Sequence, residues 1–133
     1  MSKELYSIDT VFRQMQDLVT EYKKEYGFHP LFVRLPKDIV RILVQAETLT
    51  YINSSHIVPM LDALESLLKS TGMIYRGHTL GMLVLANPRL KNTMEVSNHI
   101  VSTPDQPELI KKWIILNDAE YAATEINKNF LTP

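Results

Sequence analysis

Residues 73–86 of the chain read MIYRGHTLGMLVLA, and the hydrophobic pattern changes at this segment. Two short β-prone runs, at residues 73–76 and 80–86, flank Gly77-His78-Thr79, whose residue types favour a turn. Asn87-Pro88 then ends the second run. The segment therefore predicts a β-hairpin with His78 at its tip.

The chain before the hairpin begins with helical spacing. Apolar residues recur three and four positions apart over residues 8–26, which places them on one face of a helix. Ser7 or Asp9 can cap its first turn, and Gly27 suits the left-handed position just after its last turn. These signals predict an amphipathic helix with one solvated face.

A strand and two more helices are predicted between this helix and the hairpin. Residues 31–35 are apolar and bounded by prolines, which is typical of a short strand. Pro36 suits the first turn of a second helix, which we expect to end at about residues 51–53. A third apolar stripe, over residues 58–68, predicts a helix that ends at Gly72.

The chain after the hairpin contains one clear strand and one ambiguous segment. Alternating apolar and polar residues over 94–101 predict a half-exposed third strand. Residues 107–128 fit a single helix, the interpretation that we favour from the apolar spacing. However, residues 117–120 resemble a capping box, which would divide the segment into a strand at residues 113–116 and a helix from Asp118.

Together these elements predict an α+β fold in which about four helical segments pack on a small, largely antiparallel sheet. The 133 residues fit a single domain, and the 45% apolar and 22% charged residues are typical of globular proteins. The absence of cysteine excludes disulfides and thiolate metal sites, and favours a reducing compartment. Because no signal peptide or run of about 20 apolar residues is present, we expect a cytoplasmic protein without a membrane segment.

Charge is unevenly distributed along the chain. The formal net charge of −1 argues against a dedicated nucleic-acid-binding protein, whose domains are usually strongly basic. Residues 69–94 nevertheless contain four basic and no acidic side chains, whereas residues 95–133 contain six acidic and three basic ones. With one histidine added, this basic segment supplies the candidate contacts for nucleic acid or a partner protein: Lys69, Arg76, His78, Arg89 and Lys91. Alternatively, these side chains point in different directions, or meet the acidic C-terminal segment within one chain or between subunits.

No motif for catalysis, metal or cofactor is present. The four histidines lack zinc-ligand spacing, and the chain contains neither a GxSxG elbow nor a phosphate-binding loop. We therefore expect no cofactor, no metal and no enzymatic activity, although a small enzyme with a site built from distant residues, such as His78 and Asp38, stays an alternative. Trp113, the single tryptophan, is a core residue or, if exposed, an interface candidate.

Three segments in order suggest a family. They are PLFVRLP at residues 30–36, MIYRG at 73–77 and LGMLVLA at 80–86, with a helix after the first. This order resembles a strand–helix–hairpin unit of small proteins encoded by tailed bacteriophages, and is similar to part of the peripheral domain of the phage major capsid fold. Met82 departs from that pattern, which usually has a proline here. The resemblance implies a virion component or accessory protein, located in the host cell interior or the virion, and it implies no catalytic residue.

The sequence thus predicts a non-enzymatic structural or interaction protein that acts through protein–protein assembly, either with a partner or with itself. The alternative is a nucleic-acid-associated protein that uses the basic hairpin at residues 69–91, and nucleic acid is the less favoured partner. The small enzyme is the second alternative.

Overall fold

The computed structural model describes residues 5–49, 66, 68–99, 105 and 107–131. This part of the chain forms three helices and five strands, which confirms the α+β class but not the fourth helical segment. In chain order they are α1 (Ile8–Tyr26), β1 (Phe32–Leu35), α2 (Lys37–Gln45), β2 (Ile74–Thr79), β3 (Met82–Ala86), β4 (Thr93–Ser97), β5 (Ile110–Ile114) and α3 (Asp118–Leu131). The helix predicted over residues 58–72 lies mostly outside the described residues, of which Ser66, Leu68 and Lys69 are helical.

The five strands form one mixed sheet in the order β2-β3-β1-β4-β5. Only β1 and β3 pair in parallel, and the other three pairs are antiparallel, as predicted for most of the sheet. The strand that comes first in the sequence therefore lies at the centre, and β2 and β5 form the two edges. Val33 of β1 lies between its register partners Val84 and Val96.

The main core lies between the sheet and the two helices α1 and α2. Strand residues on this face alternate with those on the other face, as the pleat requires. Val33, Val84 and Val96 are fully buried here. The helices supply the opposing layer, from the following buried side chains: Val11, Met15, Leu18, Val19, Tyr22, Ile39, Val40 and Leu43.

Helix α1 matches the prediction at both ends. The Ser7 hydroxyl accepts a hydrogen bond from the Thr10 amide at 3.3 Å, which satisfies one of the free donors of the first turn. Gly27 follows the last turn with a φ of 82°, and its amide donates to the Lys23 carbonyl at 2.8 Å. A left-handed residue at this position favours glycine because glycine has no Cβ.

Helix α2 is shorter than predicted, because it ends at Gln45 rather than at residues 51–53. The backbone turns at Glu47, whose φ is 55°. The Leu43 carbonyl then accepts hydrogen bonds from the Thr48 amide at 3.1 Å and from the Thr48 hydroxyl at 2.8 Å. Threonine thus satisfies a helix-terminal carbonyl and stops the helix, although the apolar pattern continues.

The predicted hairpin is present, but its turn is not at residues 77–79. Leu80 and Gly81 connect β2 to β3, with φ angles of 50° and 76°. Positive φ at both central residues is the geometry of the type I′ turn, one of the two commonest two-residue hairpin connections. A register shift in β2 precedes His78, so the glycine at position 77 marks an irregularity in the strand and not its end. The placement of His78 at the tip was therefore wrong.

The C-terminal segment forms a strand and a helix from Asp118, so the favoured single helix was wrong. The alternative is confirmed except for the strand, which spans Ile110–Ile114 and not residues 113–116. Strand β5 pairs antiparallel with β4, the predicted third strand. Asn117 and Glu120 form the capping box, since the Glu120 amide donates to Asn117 Oδ1 at 2.9 Å and the Asn117 amide donates to Glu120 Oε1 at 3.2 Å. Strand pairing and capping outweigh the helical spacing of apolar residues.

Candidate interaction surface

The sheet extends one strand beyond α2, and a cleft of about 300 Å³ lies between this helix and the edge strand β2. We call it the α2–β2 cleft. It is lined by Lys37, Val40, Arg41, Val44, Ile74, Arg76 and Ala86.

The periodicity of each element brings these side chains together. The α2 residues occupy positions i, i+3, i+4 and i+7, which form one stripe along the helix. Ile74 and Arg76 are two residues apart in β2, so their side chains lie on the same face of the sheet. Ala86 is the register partner of Ile74 on β3 and contributes a small side chain to the floor.

The cleft combines positive charge with exposed apolar surface. Lys37, Arg41 and Arg76 are all exposed, and none of the described lining residues carries a carboxylate. Val44 is 45% exposed and Ile74 is 47% exposed, and both line this cleft. The guanidinium groups can bind carboxylates or phosphates in a bidentate manner, and the aliphatic floor can bury an apolar group beside them.

The structure distributes the basic segment over several surfaces. Arg76 lines the α2–β2 cleft, Arg89 lines a groove with Glu95 and Glu108, and Lys91 lies in a third cleft that includes Asp38. Lys69 is exposed at the end of the helical residues before β2. The clefts of Arg89 and Lys91 therefore include acidic side chains among their lining residues.

His78 contacts Tyr75, which lies three residues before it in β2. Its Nδ1 lies 3.0 Å from the Tyr75 hydroxyl, and the two rings meet edge to face. The half-buried imidazole thus has a structural contact on the face of the sheet opposite α1 and α2. Asp38, which the enzyme hypothesis combined with His78, is exposed in the first turn of α2.

Sequence reasoning missed Lys37 and Arg41. Their spacing of four residues on α2 is the only local signal, and the same spacing is common on solvated helix faces. Their importance depends on the position of β2, which follows almost thirty residues after α2 ends. Only the fold brings these two side chains to Arg76.

No family model, curated protein or solved structure matches the chain. Within the described ranges, no helix has the length and apolarity needed to cross a bilayer. Across the same residues, no three potential metal ligands from histidine, aspartate or glutamate lie together.

The opposite face of the sheet contains a buried polar network. Arg34 is 5% exposed; it donates to the Glu108 carboxylate and, at 2.9 Å, to the His99 carbonyl. The Ser97 hydroxyl lies 2.7 Å from that carbonyl oxygen and 3.1 Å from Glu108 Oε1. Because each of these polar groups has a partner, the network fits a structural role in holding the segment before β5 against the sheet.

Trp113 lies half-buried at the rim of the main core. Its side chain lies on the same face of β5 as that of Lys111. The Lys111 ammonium donates to Glu25 Oε2 of α1 at 2.9 Å. That hydrogen bond raises the pKa of Lys111 above its ordinary value. The neighbouring Ile114 points to the other face of the sheet and is 72% exposed. Trp113 therefore combines core packing with a partly accessible ring.

Tyr22 is the titratable side chain most affected by burial. Burial raises its pKa to about 12, and the nearby Tyr26 and Glu108 add to this effect. Its hydroxyl donates to the Leu109 carbonyl at 3.0 Å. A phenol with a raised pKa and a hydrogen-bonded hydroxyl is a poor nucleophile at neutral pH. Tyr22 therefore has a structural role in the core.

Proposed function

We propose that this chain is a non-enzymatic assembly protein that binds an acidic protein surface, including surfaces of its own copies, through the α2–β2 cleft. The observation that carries the proposal is the convergence of Lys37, Arg41 and Arg76 around an exposed aliphatic floor. Docking there would bury Val44 and Ile74, at about 25 cal/mol for each Å² of apolar surface removed from water.

The charges would select the partner and make binding depend on salt. Carboxylates that approach three cations gain Coulomb energy, which grows as the floor excludes water from the contact. Salt screens such pairs, with a Debye length of about 8 Å at physiological ionic strength. We therefore expect an affinity that falls as salt is added, together with an apolar component that remains.

The nucleic-acid alternative has weaker support. A phosphate backbone requires several cations along one path, whereas Arg89 and Lys91 each share their clefts with carboxylates. Among the lining residues that the structure describes, the α2–β2 cleft has no aromatic side chain on which a base could stack. An acidic, partly apolar protein surface fits its lining better.

Self-assembly also agrees with the resemblance to phage proteins, since a virion component must bind copies of itself or other structural proteins. The chain supplies both charge signs for such contacts. Its C-terminal part, residues 95–133, has an excess of acidic side chains that complements the cleft.

The test is the native mass by light scattering at low and high salt. We expect a multiple of 15.3 kDa at low salt that decreases at high salt, and a monomer at both salts for the double variant Arg41→Glu/Arg76→Glu. The matched control is Arg13→Glu/Lys112→Glu, which reverses two exposed charges outside the cleft. A wild-type monomer at both salts would refute self-assembly, and an unchanged multiple in the cleft variant would refute the cleft as its site.

A further inference from the structure

Helix α3 exposes most of the side chains of its first two turns. It contains 14 residues, and over its first two turns Ala119, Glu120, Ala122, Ala123 and Thr124 are exposed. Within the described part of the chain, no other helix or strand makes extensive contact with it. Isolated helices shorter than about 12–15 residues are marginally stable in water, so α3 would gain from a partner that covers it.

The start of α3 is nevertheless fixed to the body of the protein. Besides the capping box, the Asp118 amide donates to the Leu5 carbonyl at 2.9 Å, and the Ser7 amide donates to Asp118 Oδ1 at 2.7 Å. These bonds hold the first turn next to the N-terminus of α1. The helix is thus presented in a defined position while its alanine-rich surface stays open.

The exposed surface of α3 complements the α2–β2 cleft in charge and shape. Its first two turns contain two carboxylates, Asp118 and Glu120, and no basic side chain. Ala119, Ala122 and Ala123 are three and four residues apart, so they form a stripe of small side chains that permits close approach of another element. The cleft offers three cations and an aliphatic floor, and its lining within the described ranges includes no acidic side chain.

We propose that α3 of one copy docks in the α2–β2 cleft of a second copy. The alanine stripe would cover Val44 and Ile74, and Glu120 would approach Arg41 or Arg76. This inference rests on the proposed function, because it names the occupant of the cleft assigned there.

We expect such a contact to join different copies. The cleft lies at the β2 edge of the sheet, whereas α3 follows β5 at the opposite edge. Four strand spacings of about 4.8 Å separate the edges by about 19 Å. Each copy therefore presents a helix at one edge and a cleft at the other, which is a heterologous, head-to-tail contact that yields rings or filaments.

The test uses two variants of the full chain, each with one surface disabled. Arg41→Glu/Arg76→Glu removes the cleft charges and leaves α3 intact. Ala122→Lys places a long cation on the exposed stripe and leaves the cleft intact, and lysine is a good helix former. Ala122→Glu is the matched control, with a similar increase in size but a favourable charge. Circular dichroism of each variant checks that helix content is unchanged.

We expect each disabled variant to be monomeric by light scattering and sedimentation. An equimolar mixture should form a species of twice 15.3 kDa and nothing larger, because only one working helix and one working cleft remain per pair. Wild-type protein and Ala122→Glu should form larger species. Glu120→Gln should weaken assembly several-fold, since glutamine retains the capping box but not the charge.

The possible failures distinguish the two proposals. If Ala122→Lys assembles like the wild type while the cleft variant is monomeric, the cleft binds a different surface, and only the inference about α3 is overturned. If both variants are monomeric but their mixture is too, the two surfaces do not meet, and the inference again fails. If the cleft variant assembles normally, the proposed function of the cleft fails with it.

Discussion

The face of the sheet that α1 and α2 cover differs from the opposite face in the kind of side chain at its centre. On the covered face, the central row is Val33, Val84 and Val96, all fully buried. On the opposite face, Arg34 lies between its register partners Leu85 and Glu95. One strand, β1, therefore contributes an aliphatic side chain to one layer and a guanidinium to the other.

This difference changes how each layer responds to substitution. An aliphatic layer loses stability in proportion to the volume removed, because neighbouring side chains relax only in part. A buried ion pair depends on both members, since removal of one leaves an uncompensated charge in a poorly solvated site. Substitutions on the covered face should therefore lower the free energy of unfolding in proportion to the volume removed. On the opposite face, removal of either member of the ion pair should cause a large decrease.

The largest effect is expected for Arg34→Met. It should lower the free energy of unfolding by about 3–5 kcal/mol, because Glu108 then remains half-buried without its cation. Urea unfolding followed by circular dichroism measures the change. Arg13→Met is the control, since this arginine is exposed on α1, lies outside the α2–β2 cleft and should cost little. The double variant Arg34→Met/Glu108→Leu should recover much of the loss, and a double variant as unstable as Arg34→Met would contradict the ion-pair explanation.

A smaller, graded effect is expected for Leu18→Ala in the covered layer. This fully buried side chain belongs to the main core, and its truncation should cost about 2–5 kcal/mol by the same urea measurement. Leu18→Met, which nearly conserves the volume, should cost less than about 1.5 kcal/mol. Equal losses for alanine and methionine would show that packing volume does not govern this face.

The smallest effect is expected for Asp118, a carboxylate that accepts a backbone hydrogen bond at the solvent-exposed rim. The bond from the Ser7 amide lowers the pKa of Asp118 below its ordinary value of 3.8. Because the folded pKa is the lower one, the carboxylate contributes stability above pH 3.8 and loses it as the pH falls through the folded value.

Asp118→Asn should therefore be slightly less stable than the wild type at pH 7, and the gap should close on acidification below pH 4. Thermal unfolding at several pH values measures this difference. A gap that stays constant from pH 7 to the most acid sample would show that the charge of Asp118 has no part in the hydrogen bond.

Local signals in the sequence were sufficient to predict elements whose structure depends mainly on their own residues. Helix α1 and its Gly27 end follow from spacing and residue type alone, whereas residue type left Ser7 and Asp9 as alternative caps. The hairpin was predicted from β-prone runs, but glycines at 77 and 81 offered two turn positions. Pairing of Ile74 with Ala86 selects the second one, and a single sequence does not display such pairing.

The remaining errors and omissions involve residues that are distant in the sequence. At residues 107–128 the helical and the strand patterns are both present, and the neighbouring β4 favours the strand. Arg34 and Glu108 are separated by 74 residues, so nothing local indicates their pairing. The α2–β2 cleft likewise unites side chains from two elements that are far apart, which is why Arg76 was predicted without Lys37 and Arg41.

The central position of β1 has a consequence for synthesis on the ribosome. Its partners β3 and β4 are completed only at Ala86 and Ser97. At about 5–20 residues per second, the roughly 60 residues between β1 and the end of β4 take about 3–12 s to translate. One edge of β1 lacks its partner until β3 is complete, and the other edge lacks its partner until the end of the interval. The nascent chain is therefore open to chaperones, and to aggregation, until its second half emerges.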